Sequence, residues 1–144
     1  METPRRIVLD TDVMIEHLRG KGGGLVGVLE DRAELATTVV NAFELYHGAY
    51  RSKQTAKNLS AVKNLLSILS LLSIDDVSAE RSGEVLATLE REGRAIDPRD
   101  LFVGCVAVQN GCAVVTNNRE HFGRIPGLQV LSPSDVKRPP PSDE

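Results

Sequence analysis

Four stretches of this chain place acids, amides or hydroxyls just beyond short apolar runs. Asp10 and Asp12 follow Ile7–Leu9 in "IVLDTDVMI", and Glu44 lies in "TTVVNAFELYHGA". Asp100 stands in "AIDPRDLFVGCVAV", and Thr116 and Asn118 follow an apolar run in "AVVTNNREHF". If these positions converge, their carboxylates repel one another and some must hold protons unless a cation neutralises them. Hard oxygen donors suit Mg²⁺ or Mn²⁺, and the lack of a Cys/His ligand cluster disfavours zinc. Such an ion acidifies a bound water and offsets charge on a phosphodiester under in-line attack.

Each acid also has a purely structural use. Asp100 stands three residues after Asp97, where an acid favours a helix N-terminus through the backbone N–H groups and the dipole. Glu44 stands three residues after Asn41, the spacing of a capping box. Asp12 can cap a helix over Val13–Leu18. Asp10 is harder to place this way, because it directly follows a buried run. No single position decides between these uses; their recurrence at corresponding places does.

The elements that must position them read as alternating strands and helices. Ile7–Leu9, Leu35–Thr38, Leu71–Ile74 and Ala113–Thr116 read as strands, with Val130–Leu131 as a fifth. Helices are expected over Val13–Leu18, Leu25–Asp31, Asn41–Tyr50, Thr55–Leu69 and Ala79–Glu92. Asp97–Pro98 starts another, which Gly111 stops after Asn110. This alternation argues an α/β fold with a mostly parallel sheet of four or five strands. Ligands of such sheets sit beyond the carboxyl ends of the strands, where the polar positions above fall.

Together, "IVLDTDVMIEHLRG", "TTVVNAFELYHGA" and "IDPRDLFVGCVAVQNGCAVVTNNREHFGRIPGLQV" resemble a PIN domain, and specifically the VapC toxins of toxin–antitoxin pairs. The resemblance spans roughly residues 6–131 and implies a three-layer α/β/α nuclease domain over 1–134, with a flexible Pro-rich tail over 135–144. It implies an Mg²⁺- or Mn²⁺-dependent endoribonuclease whose products carry a 5′-phosphate and a 3′-hydroxyl. Asp10, Glu44 and Asp100 then fill the three acidic motifs. Asp10 and Asp100 bind the metal directly, and Glu44 completes the shell or orients the attacking water. Thr116 and Asn118 position water or phosphate. The fourth motif often reads Thr-Asn-Asp; here it is Thr116-Asn117-Asn118. The expectation is that a first metal on Asp10 and Asp100 survives, whereas a second binds weakly or needs the substrate phosphate. Glu120 is the candidate to compensate. The resemblance further implies a homodimer and a VapB-like antitoxin.

The rest of the chain sets bounds. Its 144 residues fit one domain, with 41% hydrophobic and 26% charged residues. A formal charge of −3 does not suit a passive nucleic-acid coat, although bound cations could supply the positive charge at a site. Aromatic residues make up only 3%, which disfavours a base-stacking platform. Cys105 and Cys112 read as buried apolar side chains rather than a disulfide. Met1–Arg6 does not read as a signal peptide and no apolar run is long enough for a membrane span, so a cytoplasmic protein is expected. Arg51, Lys53, Lys57 and Lys63 read as a solvated helix face able to steer RNA, while Arg19, Lys21, Arg99 and Arg119 are candidate phosphate contacts. His121 and Phe122 are expected to pack a short helix on the sheet. "LLSILSLLSI" carries more apolar surface than one helix face needs, a possible partner surface.

Three rivals follow from the same residues. "VLDTDVM" also matches the Asp-x-Asp opening of haloacid-dehalogenase-type phosphatases. That reading needs a downstream Lys and would use Asp75-Asp76, yet no Lys occurs between Lys63 and Lys137. A PIN-like binding module weakened at Asn118 and a PIN nuclease of RNA maturation are the others.

Overall fold

A computed structural model describes residues 3–137 of the chain. Five strands form one sheet: β1 (Arg6–Leu9), β2 (Glu34–Thr38), β3 (Ser70–Leu72), β4 (Ala113–Val115) and β5 (Val130–Leu131). Their order is β3-β2-β1-β4-β5, and every neighbouring pair is parallel. Around them lie α1 (Thr11–Leu18), α2 (Leu25–Glu30), α3 (Val39–Arg51), α4 (Thr55–Ser67), α5 (Asp76–Arg91), α6 (Pro98–Gln109), α7 (Arg119–Phe122) and α8 (Pro133–Lys137).

Alternating side chains on the central strands, buried over Ile7–Leu9 and Ala113–Val115, explain the three layers. Ile7, Leu9, Ala113 and Val115 enter a core with Met14, Leu29, Leu45 and Leu65. Val8 and Val114 point the other way, into a core with Leu89, Leu101, Val103, Cys105 and Phe122. Both cysteines are buried and free, as apolar filler should be.

Strand order reverses direction at β1, since β2 lies on one side of it and β4 on the other. The crevice at such a reversal is where open α/β sheets bind ligands. Asp10 follows β1 and Thr116 follows β4, so sheet topology alone puts both at that crevice.

Several boundaries differ from the sequence reading. Helix α3 starts at Val39, two residues earlier than expected, because Thr38 and Asn41 form the capping box. The β-branched pair Val39-Val40 obscures that start. Helix α5 likewise starts at Asp76, capped by Asp75 through Ser78. Asp75 is thus used as a cap, not as part of a phosphatase acidic pair. Strand β3 covers Ser70–Leu72 rather than Leu71–Ile74. Helix α8 was not expected: it runs past residue 134 and buries Val136 in the first core. The folded unit therefore extends beyond the expected boundary, while the Pro139–Pro141 part of the expected tail lies outside the described residues.

Candidate active site

Asp10 occupies the N-cap position of α1, yet its side chain caps nothing there. Asp12, the expected cap, falls instead in the first turn. Asp10's carboxylate is turned inward and is only 8% exposed. Its Oδ1 accepts from Asn41 Nδ2 at 3.1 Å, and its Oδ2 accepts from Thr116 Oγ1 at 2.7 Å. Thr116 in turn accepts from the Asn118 backbone N–H at 2.9 Å. Burial raises the pKa of Asp10, and the charge of Glu44 adds to the rise; hydrogen bonds from Thr116, the Thr11 backbone and Asn41 oppose it.

Asn41 is fully buried and joins the end of β2 to the residues that follow β1. Its Oδ1 accepts from the Thr38 hydroxyl at 2.7 Å and from the Thr38 N–H at 3.3 Å. Its Nδ2 donates to Asp10 and, at 3.0 Å, to Thr11 Oγ1. Thr11 passes the chain on, donating to Glu44 Oε1 at 2.8 Å. Glu44 is therefore not the capping-box acid that its spacing from Asn41 suggested; that role belongs to Asn41 itself.

Asp100 lies in the first turn of α6, where Asp97 provides the cap by accepting from the Arg99 N–H at 2.8 Å. Asp100 thus keeps the favourable first-turn position expected of it, while the side-chain cap itself comes from Asp97. Burial first, then the charges of Asp10 and Asp97, lift its pKa to about 6, with Glu44 contributing and His121 opposing. Asp12 also rises to about 6, by burial and by the charge of Asp10. Its Oδ2 accepts from the Asn117 N–H at 3.2 Å, but its buried Oδ1 has no hydrogen-bond partner. Burial and mutual repulsion thus disfavour ionising these carboxyls together.

The expected set is brought together incompletely. Among the described residues, no three His, Cys, Asp or Glu side chains stand close enough to cage a metal ion. Glu44 is engaged elsewhere: one oxygen is held by Thr11, and the other faces the Arg99 guanidinium at 3.7 Å. Glu44 is consequently not assembled with Asp10 and Asp100 as a third ligand. Asp100 keeps a carboxylate free of hydrogen bonds, with His121 Nδ1 3.8 Å away. The remaining donor chemistry still fits a hard divalent ion, since Mg²⁺ commonly takes one or two carboxylates and keeps several waters.

Asn118 does not reach toward Asp10 through its side chain; its Nδ2 lies 3.0 Å from His121 Nδ1. His121 therefore borders the site, a position its sequence context did not single out. Glu120 cannot replace the missing acid, because it is highly exposed and pairs with Arg124 at 3.1 Å. Arg99, an expected phosphate contact, is tied to Asp97 and Glu44, and Arg119 to Asp135 at 3.4 Å. Sequence reasoning missed Asn41, Thr11 and Thr38. The usable clue was Thr38 three residues before Asn41, a cap spacing that moves the helix start and points Asn41 inward.

The raised carboxyls set a direction for stability. A carboxyl with a folded pKa above its unfolded value supplies stability below the unfolded value, lost as pH climbs through the folded one. For Asp12 and Asp100 that window runs from about 4 to about 6. Metal-free protein should melt higher at pH 5 than at pH 7.5, and Mn²⁺ should raise the midpoint more at pH 7.5. Differential scanning calorimetry with and without chelator checks this; a midpoint that falls on acidification to pH 5 would contradict it.

Asp10, bound by Thr116 at the reversal of a five-stranded parallel sheet and near enough to Asp100 for its charge to act there, defines the chain's class. The PIN domain family model matches residues 7–128, and the chain belongs to that family. It is 28% identical to the tRNA(fMet)-specific endonuclease VapC of Shigella flexneri over 126 residues, covering 87% of this chain and 96% of that protein. It is 29% identical to the protein of the same description from Salmonella typhimurium, with the same coverage. Among solved structures it resembles a chain of VapBC2 from Rickettsia felis bound to a DNA fragment from their promoter, with TM-score 0.81 and 25% identity, covering 88% of this chain and 98% of that one. DNA-bound VapBC from Salmonella typhimurium gives TM-score 0.80 and 28% identity, covering 91% and 99%. No described helix is long and apolar enough to cross a membrane.

Proposed function

We propose that this protein is a divalent-metal-dependent endoribonuclease, acting in the cytoplasm as the toxin of a VapBC-type pair. The observation that carries the reading is the buried Asp10 carboxylate, held by Asn41 and Thr116 at the strand reversal, with Asp100 on α6 close enough to feel its charge. A divalent ion bound there, Mg²⁺ or Mn²⁺, would acidify a water and offset charge on the phosphodiester. Asp10 and Asp100 are the proposed ligands. Asn41 and Thr116 fix the orientation of the Asp10 carboxylate, as hydrogen-bonded outer partners do for metal-binding groups. Glu44, steadied by Thr11, orients the attacking water once Arg99 moves to the substrate phosphate. Thr116 and Asn118 line the phosphate side.

Incubating the protein with total RNA and MnCl₂, with and without EDTA, tests the reading directly. Chelator-sensitive cleavage is expected; no cleavage by pure protein in Mn²⁺ would favour a binding module instead. The neutral Asn118 is expected to weaken metal capture. Asn118→Asp should lower the half-saturating Mn²⁺ concentration for cleavage several-fold, by adding a charge beside Asp100; an unchanged titration would refute that role.

The names of the similar complexes support a VapB-like antitoxin as partner. A homodimer is proposed through the exposed apolar side chains Phe43, Tyr50 and Leu71, on α3 and the edge strand β3, where Phe43 and Tyr50 are 59% and 65% exposed. Patches of this kind tend to be covered. Sedimentation equilibrium should show a dimer that Phe43→Asp with Tyr50→Asp converts to monomer; a monomeric wild type would remove this proposal.

A further inference from the structure

Helices α5 and α6 run antiparallel: Gln109, closing α6, donates at 2.8 Å to Asp75, which caps the start of α5. The end of α5 therefore shares an end of the fold with the start of α6, where Asp100 stands. Arg91 closes α5 and Arg94 follows it into this end. From the other side comes Arg124, just after α7, whose Nη1 donates to the carbonyls of Arg94 at 3.2 Å and Ala95 at 3.4 Å. Between them opens a depression of about 450 Å³ that extends along α5 to Arg81. Its rim thus carries four arginines against the lining acids Glu84 and Glu92. With Glu120, which pairs with Arg124 from beside the depression, the arginines exceed these acids by one on a chain of net charge −3.

The carboxylate pairings of Arg81 and Arg94 are exposed and easily exchanged, whereas Arg124 is fixed by its two backbone carbonyls and frames the depression. Arg81 pairs with Glu84, Arg94 with Glu92 at 3.4 Å, and Arg124 with Glu120 at 3.1 Å. All involve exposed carboxylates, and such surface pairs contribute little to stability. Arg91 reaches the Thr88 hydroxyl at 3.2 Å and pairs with no carboxylate among the described residues. A guanidinium fork matches phosphate oxygens bidentately. No aromatic side chain lines the depression, so nothing there would stack on a base. The chemistry suits a sugar–phosphate backbone read without regard to sequence.

We propose that the depression framed by Arg81, Arg91, Arg94 and Arg124 is a second RNA-contact surface, holding backbone phosphates that flank the bond cut at the carboxylate crevice. This rests on the ribonuclease reading, which supplies the substrate class. The surface fixes where an extended RNA lies without taking part in the chemical step.

Fluorescence anisotropy of a labelled single-stranded RNA with Asp10→Asn protein, which should bind without cutting, measures the contact. Adding Arg91→Glu and Arg94→Glu should weaken binding about tenfold and reduce the slope of log affinity against log salt by about 1–2, uniformly across RNA sequences. In the otherwise native chain the same pair should raise KM about tenfold with kcat within twofold. Unchanged affinity and KM would overturn the proposal and leave the arginines to another partner, such as an acidic protein segment. An equal loss from Arg5→Glu with Arg6→Glu, at the opposite end of the sheet where β1 begins, would assign the effect to net charge and overturn it too. Failure of the ribonuclease reading would look different: the native protein would not cut RNA in Mn²⁺ at all.

Discussion

Replacing Asp10 by Asn is expected to lower RNA cleavage by about a thousandfold or more, the scale of losing a central catalytic group. The fold should survive. Asn at this position keeps an oxygen for the Asn41 amide and an amide nitrogen able to donate to Thr116 Oγ1, so both hydrogen-bonded neighbours retain a partner. It removes a charge whose burial opposes ionisation. By linkage, a carboxyl raised in the folded state destabilises the fold once ionised, above its unfolded value. The metal-free variant should therefore melt at or above the native temperature at pH 7.5. Loss of activity with a melting point well below native would mean that Asp10 is structural, and retained cleavage would overturn its assignment as a ligand.

Asn41→Ala is expected to damage both stability and turnover. The amide is fully buried and serves Thr38, Asp10 and Thr11 at once. Removing it strands several of these groups without partners, at a cost of about 3 kcal/mol, which for a domain of this size corresponds to a melting-point fall of roughly 10 °C. Because Asp10 then loses one of its two fixing bonds, cleavage should drop about 10–100-fold, as when the outer partner of a metal ligand is deleted. Thermal melts and initial rates at saturating Mn²⁺ read the two effects separately. Lost stability with full activity would restrict Asn41 to a capping role.

The contrast between these two residues marks what could be read in the chain itself. Asp10 was legible because an acid directly after Ile7–Leu9 has no local use, and strand order then carries it to the crevice. Asp97–Pro98 and Gly111 bounded α6 correctly, because their preferences are local and strong. Asn41 was not legible as a site residue, since its role depends on Asp10 lying alongside across thirty-one positions of sequence. Glu44 shows the opposite limit. Its type and place fit a ligand, but Thr11 and Arg99 hold it, and only tertiary packing brings those two to it. Helix α8 was missed because five residues carry little periodicity, and its stability comes from Val136 docking in a core built by distant strands.

At the centre stands one proposal: the carboxylates of Asp10, just after β1, and Asp100, in the first turn of α6, share a divalent ion. Manganese anomalous diffraction from crystals held in MnCl₂ at pH 7.5 asks this most directly. A single dominant peak within coordinating reach of both Asp10 and Asp100 is the predicted result. Manganese seated elsewhere, or absent from a protein that still cuts RNA under those conditions, would contradict it.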